Sequence, residues 1–189
     1  MIDKTNIKKG ILPRQENDYY ATDPIAIDFL IKNYNVFSNN IWEPACGEKY
    51  LSKRLEEKKY NVKSTDLIAY NNSITTLDFL KFEPLIDGLF EGDIITNPPF
   101  KHINEFLEKS MESIKDNFHV AFFMKIQILE SKKRKNLFEK YPPKMILVPS
   151  KRIIVAKNGD FTNTKGSAMC LCWFIFQKGF SGITQLKII

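Results

Sequence analysis

The sequence predicts an α/β fold with a mainly parallel sheet, on three observations. Short apolar or β-branched runs alternate with amphipathic segments of helical periodicity along most of the chain. The 189 residues suffice for one domain with a substantial core, and a hydrophobic content of 43% argues against disorder. Turn residues follow predicted strands at "EPACG" and "NPPF". Ligands of parallel sheets bind at these carboxyl ends of strands.

Each predicted element follows from a local signal. Residues 1–16 show little periodicity and predict an extended N-terminal arm, followed by a single domain over 17–189 without a separate target-recognition domain. Thr22-Asp23-Pro24 predicts the start of a helix through "IAIDFLIKNY". The elements that follow are the strand "NIWEPA", the helix "KYLSKRLEEKKY", the strands "NVKSTDL" and "GDIITN", a helix over about 102–116, the strand "HVAFFMKI", the helix "ILESKKRKNLFEKY" with Leu129, Leu137 and Phe138 inward, the strand "KMILVPS" and the apolar run "SAMCLCWFIF".

Positive charge is concentrated in one part of the chain. Residues 131–165 carry a net charge of +8, which leaves −2 for the remainder. A basic segment on a near-neutral body is typical of nucleic-acid-binding proteins, although lysine-rich surfaces are also ordinary solvated faces. The side chains expected to contact phosphates are Lys132, Lys133, Arg134, Lys135, Lys151 and Arg152.

Composition narrows the class of protein further. No apolar run approaches the roughly 20 residues of a membrane span, and the N-terminus lacks the apolar stretch of a signal peptide. Three cysteines without CxxC spacing fit a reduced protein, and two histidines without a Cys/His cluster argue against a zinc site. We therefore expect a cytoplasmic protein that uses neither a membrane nor a metal. The oligomeric state stays open.

The stretch "GDIITNPPF" places two prolines and an aromatic residue directly after a predicted strand. Neither proline can donate a backbone hydrogen bond, and both hold φ near about −65°. The carbonyls of Asn97 and Pro98 therefore point in fixed directions. One interpretation is a strand ended by prolines. The other is a rigid pair of acceptors beside the Phe100 ring, suited to a planar amine.

A second turn, in "EPACG", is suited to a cationic nucleoside. Gly47 allows a tight turn near a helix N-terminus, and Glu43 supplies an acid at the end of a strand. Asp66 ends the next strand 19 residues after Gly47. This is close to the separation of roughly 20 residues between a glycine turn and the acid that binds ribose hydroxyls. S-adenosylmethionine fits this combination, although a structural strand–helix turn also explains the glycine alone.

These motifs carry a family resemblance. "DYYATDP", "EPACG", "STD", "LDF" and "NPPF" occur in the order and with spacings that resemble the amino-group methyltransferases acting on adenine in nucleic acid. The segment "LESKKRKNLFEKYPPKMILVPSKRI" followed by "CWFIF" also resembles the small DNA adenine-N6 methyltransferases of phages and prophages. The resemblance covers about Asp18 to Gly179. It implies a Rossmann-like class I methyltransferase fold, with a mainly parallel seven-stranded sheet, the last strand antiparallel, and helices on both faces.

The resemblance also implies roles for individual residues. On the cofactor side, Tyr20 and Thr22 would lie over the methionine part of S-adenosylmethionine. Glu43 would meet its amino group, and the Ala45–Gly47 backbone would pass beneath it. Asp66 would bind the ribose hydroxyls, and Asp78 and Phe79 would hold the adenine. On the substrate side, Asn97 and Pro98 would accept the hydrogens of the target amine, with Pro99 holding the turn rigid, and Phe100 would stack on the target base. Tyr20 and Phe79 are also explained as core residues.

The chain departs from the family pattern at two places. The family usually has Gly-x-Gly where this chain has Gly47-Glu48-Lys49, so Lys49 adds a side chain where the loop approaches the ligand. The lysine either points outward or weakens cofactor binding. The family's Thr-Pro-Pro is Thr22-Asp23-Pro24 here. His102 follows the NPPF turn and is interpreted as an ordinary first-turn helix residue.

The predicted activity is methyl transfer from S-adenosylmethionine to the N6 amine of adenine in DNA. Only 89 residues follow NPPF, and the sheet needs most of them, which predicts low sequence specificity. Three alternatives stay open: methylation of an adenine or guanine amino group in RNA, methylation of a protein glutamine amide, and a non-catalytic nucleic-acid-binding module. The net +8 segment favours a polyanion over a protein substrate.

Overall fold

The computed structural model describes residues 21–156, 161 and 169–189. The predicted arm over 1–16 and Tyr20 lie outside the described residues. The strands in chain order are Ala21–Thr22 (β1), Asn40–Glu43 (β2), Asn61–Asp66 (β3), Thr75–Thr76 (β4), Asp93–Thr96 (β5), His119–Lys125 (β6), Met145–Val148 (β7), Val155–Ala156 (β8), Leu171–Gln177 (β9) and Gln185–Ile188 (β10). The α-helices are Ile25–Asn33 (α1), Tyr50–Glu57 (α2), Pro84–Asp87 (α3), Ile103–Ser113 (α4) and Lys135–Lys140 (α5).

Eight of these strands form one mixed sheet in the order β10-β7-β9-β6-β5-β2-β3-β4. Every neighbouring pair is parallel except those of β9, which runs antiparallel to both β6 and β7. The α/β class with a mainly parallel sheet is confirmed. The described sheet has eight strands where seven were expected. The antiparallel strand is β9, and it is not the last strand of the sheet, since the exposed segment β10 follows it and pairs in parallel with β7.

The helices cover both faces of the sheet, as predicted. Leu107 of α4 packs in the core on one face, and Leu30 of α1 and Leu55 of α2 pack in the core on the other. Successive residues of the central strands serve opposite faces: Phe122 belongs to the first core and Phe123 to the second. Because both faces are buried, the central strands read as continuous apolar runs.

The strand order reverses between β2 and β5, and this reversal positions the site. From β2 the chain continues outward to β3 and β4, and from β5 it continues in the opposite direction to β6. In open α/β sheets a crevice forms at such a point, outside the carboxyl ends of the strands. Glu43 ends β2 and Thr96 ends β5. The segments after these two strands therefore meet at this crevice.

The basic helix predicted over "ILESKKRKNLFEKY" is wrong. The chain forms a 3-10 turn at Ile126–Glu130, another at Lys132–Arg134, and the short helix α5, with extended backbone at Ser131 between the turns. Leu129 was expected inward but is 43% exposed, whereas Leu137 is buried and Phe138 packs against the core. The four adjacent cations at positions 132–135 repel one another, which disfavours a longer continuous helix here.

Residues 21–156, 161 and 169–189 contain neither a membrane-spanning helix nor a metal-binding cluster. No helix within them combines the length and apolar character needed to cross a membrane. The same residues contain no group of three or more His, Cys, Asp or Glu side chains placed to hold a metal ion.

Candidate active site

A pocket of about 410 Å³ lies at the reversal point and draws its lining from the ends of several strands. It brings together most of the described residues that the sequence singled out for cofactor and substrate. These are Thr22, Glu43, Ala45, Asp66, Asp78, Phe79, Asn97, Pro98, Pro99 and Phe100. Gly47 lies behind this wall, where its backbone N–H donates a hydrogen bond to a pocket residue, Asp66.

Asp66 connects the turns that follow β2 and β3. One of its oxygens accepts a hydrogen bond from the backbone N–H of Gly47 at 2.7 Å, and the other accepts from the N–H of Ile68 at 3.0 Å. Burial raises the pKa of Asp66, and these backbone donors oppose the rise. Gly47 adopts a φ of 51°, which favours glycine and lets the turn close on the carboxylate. The carboxylate is thus fixed at the edge of the pocket.

Glu43 is a buried acid with few partners. It is 2% exposed, and the Ser52 hydroxyl donates a hydrogen bond to its Oε2. Ser52 in turn accepts from Ser64 at 2.8 Å. Burial raises the pKa of Glu43 to about 8, which the Ser52 bond partly opposes. The raised pKa favours the protonated carboxyl group at neutral pH, and a cation bound beside it would favour the ionised form.

Lys49 does not line the pocket. Its φ of 68° lies in the left-handed region, which explains why a glycine suits this position. The side chain turns along α2, where Nζ lies 3.0 Å from Oε1 of Glu56. The departure from Gly-x-Gly therefore introduces backbone strain at this turn, while the charge of Lys49 is paired with Glu56.

Asp78 and Phe79 form the part of the pocket between β4 and α3. Asp78 caps a 3-10 turn over Phe79–Lys81 by accepting a hydrogen bond from the Leu80 N–H at 3.2 Å. Phe79 is buried, with its ring edge-on to Trp42 at a centroid distance of 5.1 Å. Phe79 is therefore both a core residue and a pocket wall, and the two interpretations of it are compatible.

Asn97 directly follows β5 and has a specific partner. Its Nδ2 donates a hydrogen bond to Oγ1 of Thr22 at 2.9 Å. Thr22 belongs to β1, which pairs with β8 in a separate two-stranded sheet. Pro99 begins the next turn, because its carbonyl accepts a hydrogen bond from the N–H of His102 at 2.9 Å. The Asn97 side chain is therefore held by a neighbour in space that is distant in sequence.

The ring of Phe100 lies under a cation. Nζ of Lys125 is 4.9 Å from the ring centroid, within the range of a cation–π contact. Lys125 ends β6, the neighbour of β5 in the sheet. Sequence reasoning missed this lysine, although its position at the end of "HVAFFMKI" was a usable signal, because adjacent parallel strands end at the same edge.

His102 does more than begin a helix. It lines the pocket and precedes α4, at the position that caps the helix, with its side chain 44% exposed. The sequence predicted a residue of the first helical turn, whereas His102 precedes that turn and lies beside the pocket. Its Nδ1 lies 3.9 Å from Oε1 of Glu105 on α4.

The basic residues lie on segments that follow the carboxyl ends of β6 and β7. Lys132, Lys133 and Lys135 are exposed. Arg134 is half-buried, and its Nε donates a hydrogen bond at 3.0 Å to Asn104 in the first turn of α4. Lys151 and Arg152 are exposed after β7. Five of the six predicted cations are therefore accessible, and the Arg134 contact ties its segment to the helix that follows Asn97–Phe100.

No protein-family model matches the sequence, and no curated protein does. Solved structures with a similar fold include a candidate class I S-adenosylmethionine-dependent methyltransferase from Listeria monocytogenes (16% identity, 96% of this chain and 68% of that chain, TM-score 0.63). Others are a modification subunit of a candidate type I restriction enzyme from Vibrio vulnificus (15%, 93% and 48%, 0.60) and a candidate RNA methyltransferase from Pyrococcus horikoshii (14%, 82% and 83%, 0.52). The chain spans about half the length of the Vibrio protein. At these identities the likeness concerns the fold, and the chain has the Rossmann-like fold of class I methyltransferases.

Proposed function

We propose that this protein transfers the methyl group of S-adenosylmethionine to the N6 amine of adenine in DNA. The observation that carries the proposal is the shared pocket. Asn97, Pro98 and Phe100 line the same 410 Å³ space as Glu43 and Asp66. A cofactor bound by the two acids would therefore meet a planar amine held at the Asn-Pro-Pro turn.

The cofactor assignment draws support from the fold and from the chemistry of the lining. Structural neighbours of the chain include a candidate S-adenosylmethionine-dependent enzyme. The buried Glu43 carboxyl suits the cofactor's ammonium group, and the fixed carboxylate of Asp66 suits the two ribose hydroxyls. Leu77 and Phe79 offer an apolar place for the adenine ring beside Asp78. The pocket volume lies within the range of roughly 300–1,000 Å³ usual for small-molecule sites.

The chain's own residues activate and align the amine. The lone pair of an exocyclic adenine nitrogen is delocalised into the ring, and acceptance of its two N–H bonds by Asn97 and Pro98 favours the form in which that pair is available. The bound cofactor would supply the methyl group: as the amine nitrogen bonded to the methyl carbon, the carbon–sulfur electron pair would return to sulfur, and one amine proton would leave to solvent. Because the sulfonium charge would be lost as the bond formed, the positioned acceptors Asn97 and Pro98 would suffice and no strong base would be required.

An adenine in a duplex must leave the helix to reach this pocket. Flipping costs a few kcal/mol, and stacking on an aromatic side chain returns about 1–3 kcal/mol. Phe100 supplies that ring, and Lys125 on it adds positive charge close to the expected path of the backbone. The exposed lysines after β6 and β7 would contact phosphates, which position the nucleic acid but carry little sequence information. Low sequence specificity is therefore part of the proposal.

Tritiated methyl transfer tests the proposal directly. Duplex DNA, denatured DNA, total RNA and cell protein are compared side by side, and the label is identified after digestion to nucleosides or amino acids. N6-methyladenine in DNA is the expected product. Label confined to RNA or to protein would refute DNA as the substrate. The absence of both label and cofactor binding would refute the proposal that the protein is an S-adenosylmethionine-dependent enzyme.

Asn97→Ala is the variant that separates chemistry from binding. It removes the amide acceptor but leaves Glu43 and Asp66 in place. Turnover should fall to background while the Kd for S-adenosylmethionine changes less than threefold. Measurable methyl transfer by this variant would contradict the role given to Asn97.

A further inference from the structure

We propose that Thr22 is a positioning residue that holds the Asn97 amide with its oxygen toward the target amine. The inference rests on the proposed function and assigns Thr22 a role different from the cofactor contact that the family resemblance implies. The observation behind it is the 2.9 Å hydrogen bond from Asn97 Nδ2 to Thr22 Oγ1.

The orientation of this amide decides whether Asn97 is useful. An Asn side chain presents an acceptor on one arm and two donors on the other, and its terminal torsion has a broad, roughly two-fold profile. With the oxygen forward, the amide accepts a hydrogen bond from an amine. With the nitrogen forward, two N–H groups oppose the N–H groups of the substrate, and the acceptor is lost. In the structure the nitrogen arm donates to Thr22 Oγ1, and this bond holds the amide with its oxygen arm directed away from Thr22.

Thr22 is well placed to be that partner because it is itself fixed. It is 3% exposed, and it pairs with Val155 in the β1–β8 sheet. The next residue, Asp23, donates its backbone N–H to the carbonyl of Ile154 at 3.0 Å. The backbone on either side of the Thr22 side chain is therefore hydrogen-bonded to the segment Ile154–Ala156. The acceptor for Asn97 therefore belongs to a hydrogen-bonded two-stranded sheet.

Thr22→Val tests the inference, because valine keeps the shape of threonine and removes the acceptor. We expect kcat on DNA to fall tenfold to a hundredfold, while the Kd and KM for S-adenosylmethionine stay within threefold of wild type. Thr22→Ser retains a hydroxyl and should keep most of the wild-type kcat. The matched control is Thr96→Val, the same change one residue before Asn97. Thr96 is fully buried, and its Oγ1 has no hydrogen-bond partner within the described part of the chain. This control should keep wild-type kinetics.

A second readout is independent of turnover. The side-chain amide signals of Asn97 in a ¹⁵N spectrum are identified by their loss in Asn97→Ala. We expect them to shift in Thr22→Val and to stay close to wild type in Thr22→Ser, with no nucleic acid present. This measurement also tests the contact if the wild-type protein methylates nothing, an outcome that would refute the proposed function separately.

Three outcomes would overturn the inference. Unchanged kcat in Thr22→Val would show that the hydrogen bond does not matter for chemistry. A raised Kd for S-adenosylmethionine with kcat preserved would make Thr22 a cofactor contact, as the resemblance implies. An equal loss of activity in the Ser and Val variants would make the role one of packing.

Discussion

Replacement of Glu43 by Gln should remove a specific part of the pH dependence of folding stability. Burial raises the pKa of Glu43 to about 8 from an ordinary value of 4.5. Between these two values the folded protein holds a proton on this residue that the unfolded chain has lost. Because the folded state binds more protons in this range, the free energy of unfolding decreases as pH rises from about 5 to about 8. Glutamine keeps an oxygen that accepts the Ser52 hydrogen bond but cannot titrate.

The size of the effect follows from the raised pKa. One proton bound in the folded state and absent in the unfolded state changes the free energy of unfolding by about 1.4 kcal/mol per pH unit. Between pH 5.5 and pH 7.5 Glu43 should therefore contribute a loss of roughly 2–3 kcal/mol in the wild type and none in Glu43→Gln. Glu43 is 2% exposed, so solvent screening reduces this figure little.

Urea unfolding at pH 5.5, 6.5 and 7.5 measures the effect as a difference between two pH profiles. Glu108→Gln, at an exposed position of α4, is the matched control and should follow the wild-type profile. The same proton should appear in calorimetry, where binding of S-adenosylmethionine at pH 7 releases up to about one proton in the wild type and fewer in Glu43→Gln. Parallel unfolding profiles for wild type and Glu43→Gln would refute the reasoning, because they would mean that folding does not raise the pKa of Glu43.

Two further predictions concern residues outside the pocket. Lys49→Gly should relieve the left-handed backbone at a gain of about 1 kcal/mol and lose the ion pair with Glu56, worth roughly 0–1 kcal/mol, so stability changes little. Its Kd for S-adenosylmethionine should stay within threefold, and a tenfold gain in affinity would show that the lysine obstructs the ligand. Joint replacement of Lys132, Lys133 and Lys135 by Gln should reduce the slope of log K for duplex DNA against log salt concentration by up to about 2.7, since each phosphate contact contributes about 0.9. An unchanged slope in a binding titration over salt would show that these exposed lysines do not contact DNA.

Much of the fold was predictable because its signals are local. The central strands are apolar runs that end at turn residues, and each predicted strand from "NIWEPA" to "KMILVPS" lies within about two residues of an observed one. The meeting of Glu43, Asp66 and Asn97 was also predictable, since the carboxyl ends of parallel strands share one edge. These inferences needed only the order of elements along the chain.

The remaining features depend on contacts between distant parts of the chain. The pairing of β1 with β8 joins two-residue segments too short to leave a period, so the partner of Asn97 was not predictable. Two 3-10 turns precede α5 where a continuous helix was predicted. That prediction used apolar spacing alone and took no account of repulsion among four adjacent cations. The left-handed backbone of Lys49 was likewise not predictable from its residue type, because lysine rarely adopts that conformation.

The position of β9 has a consequence for the order of folding. This strand is inserted between β6 and β7, and it pairs with β6 along all seven of its residues. During synthesis β6 and β7 emerge well before β9 and cannot complete their pairing until it arrives. Until then the apolar edges of β6 and β7 are open to other chains, which is a known route to aggregation. Sheet completion should therefore be the slow step, as expected for contacts between strands far apart in sequence. A destabilising change in β9 should lower the yield of folded protein more than an equally destabilising change in α1.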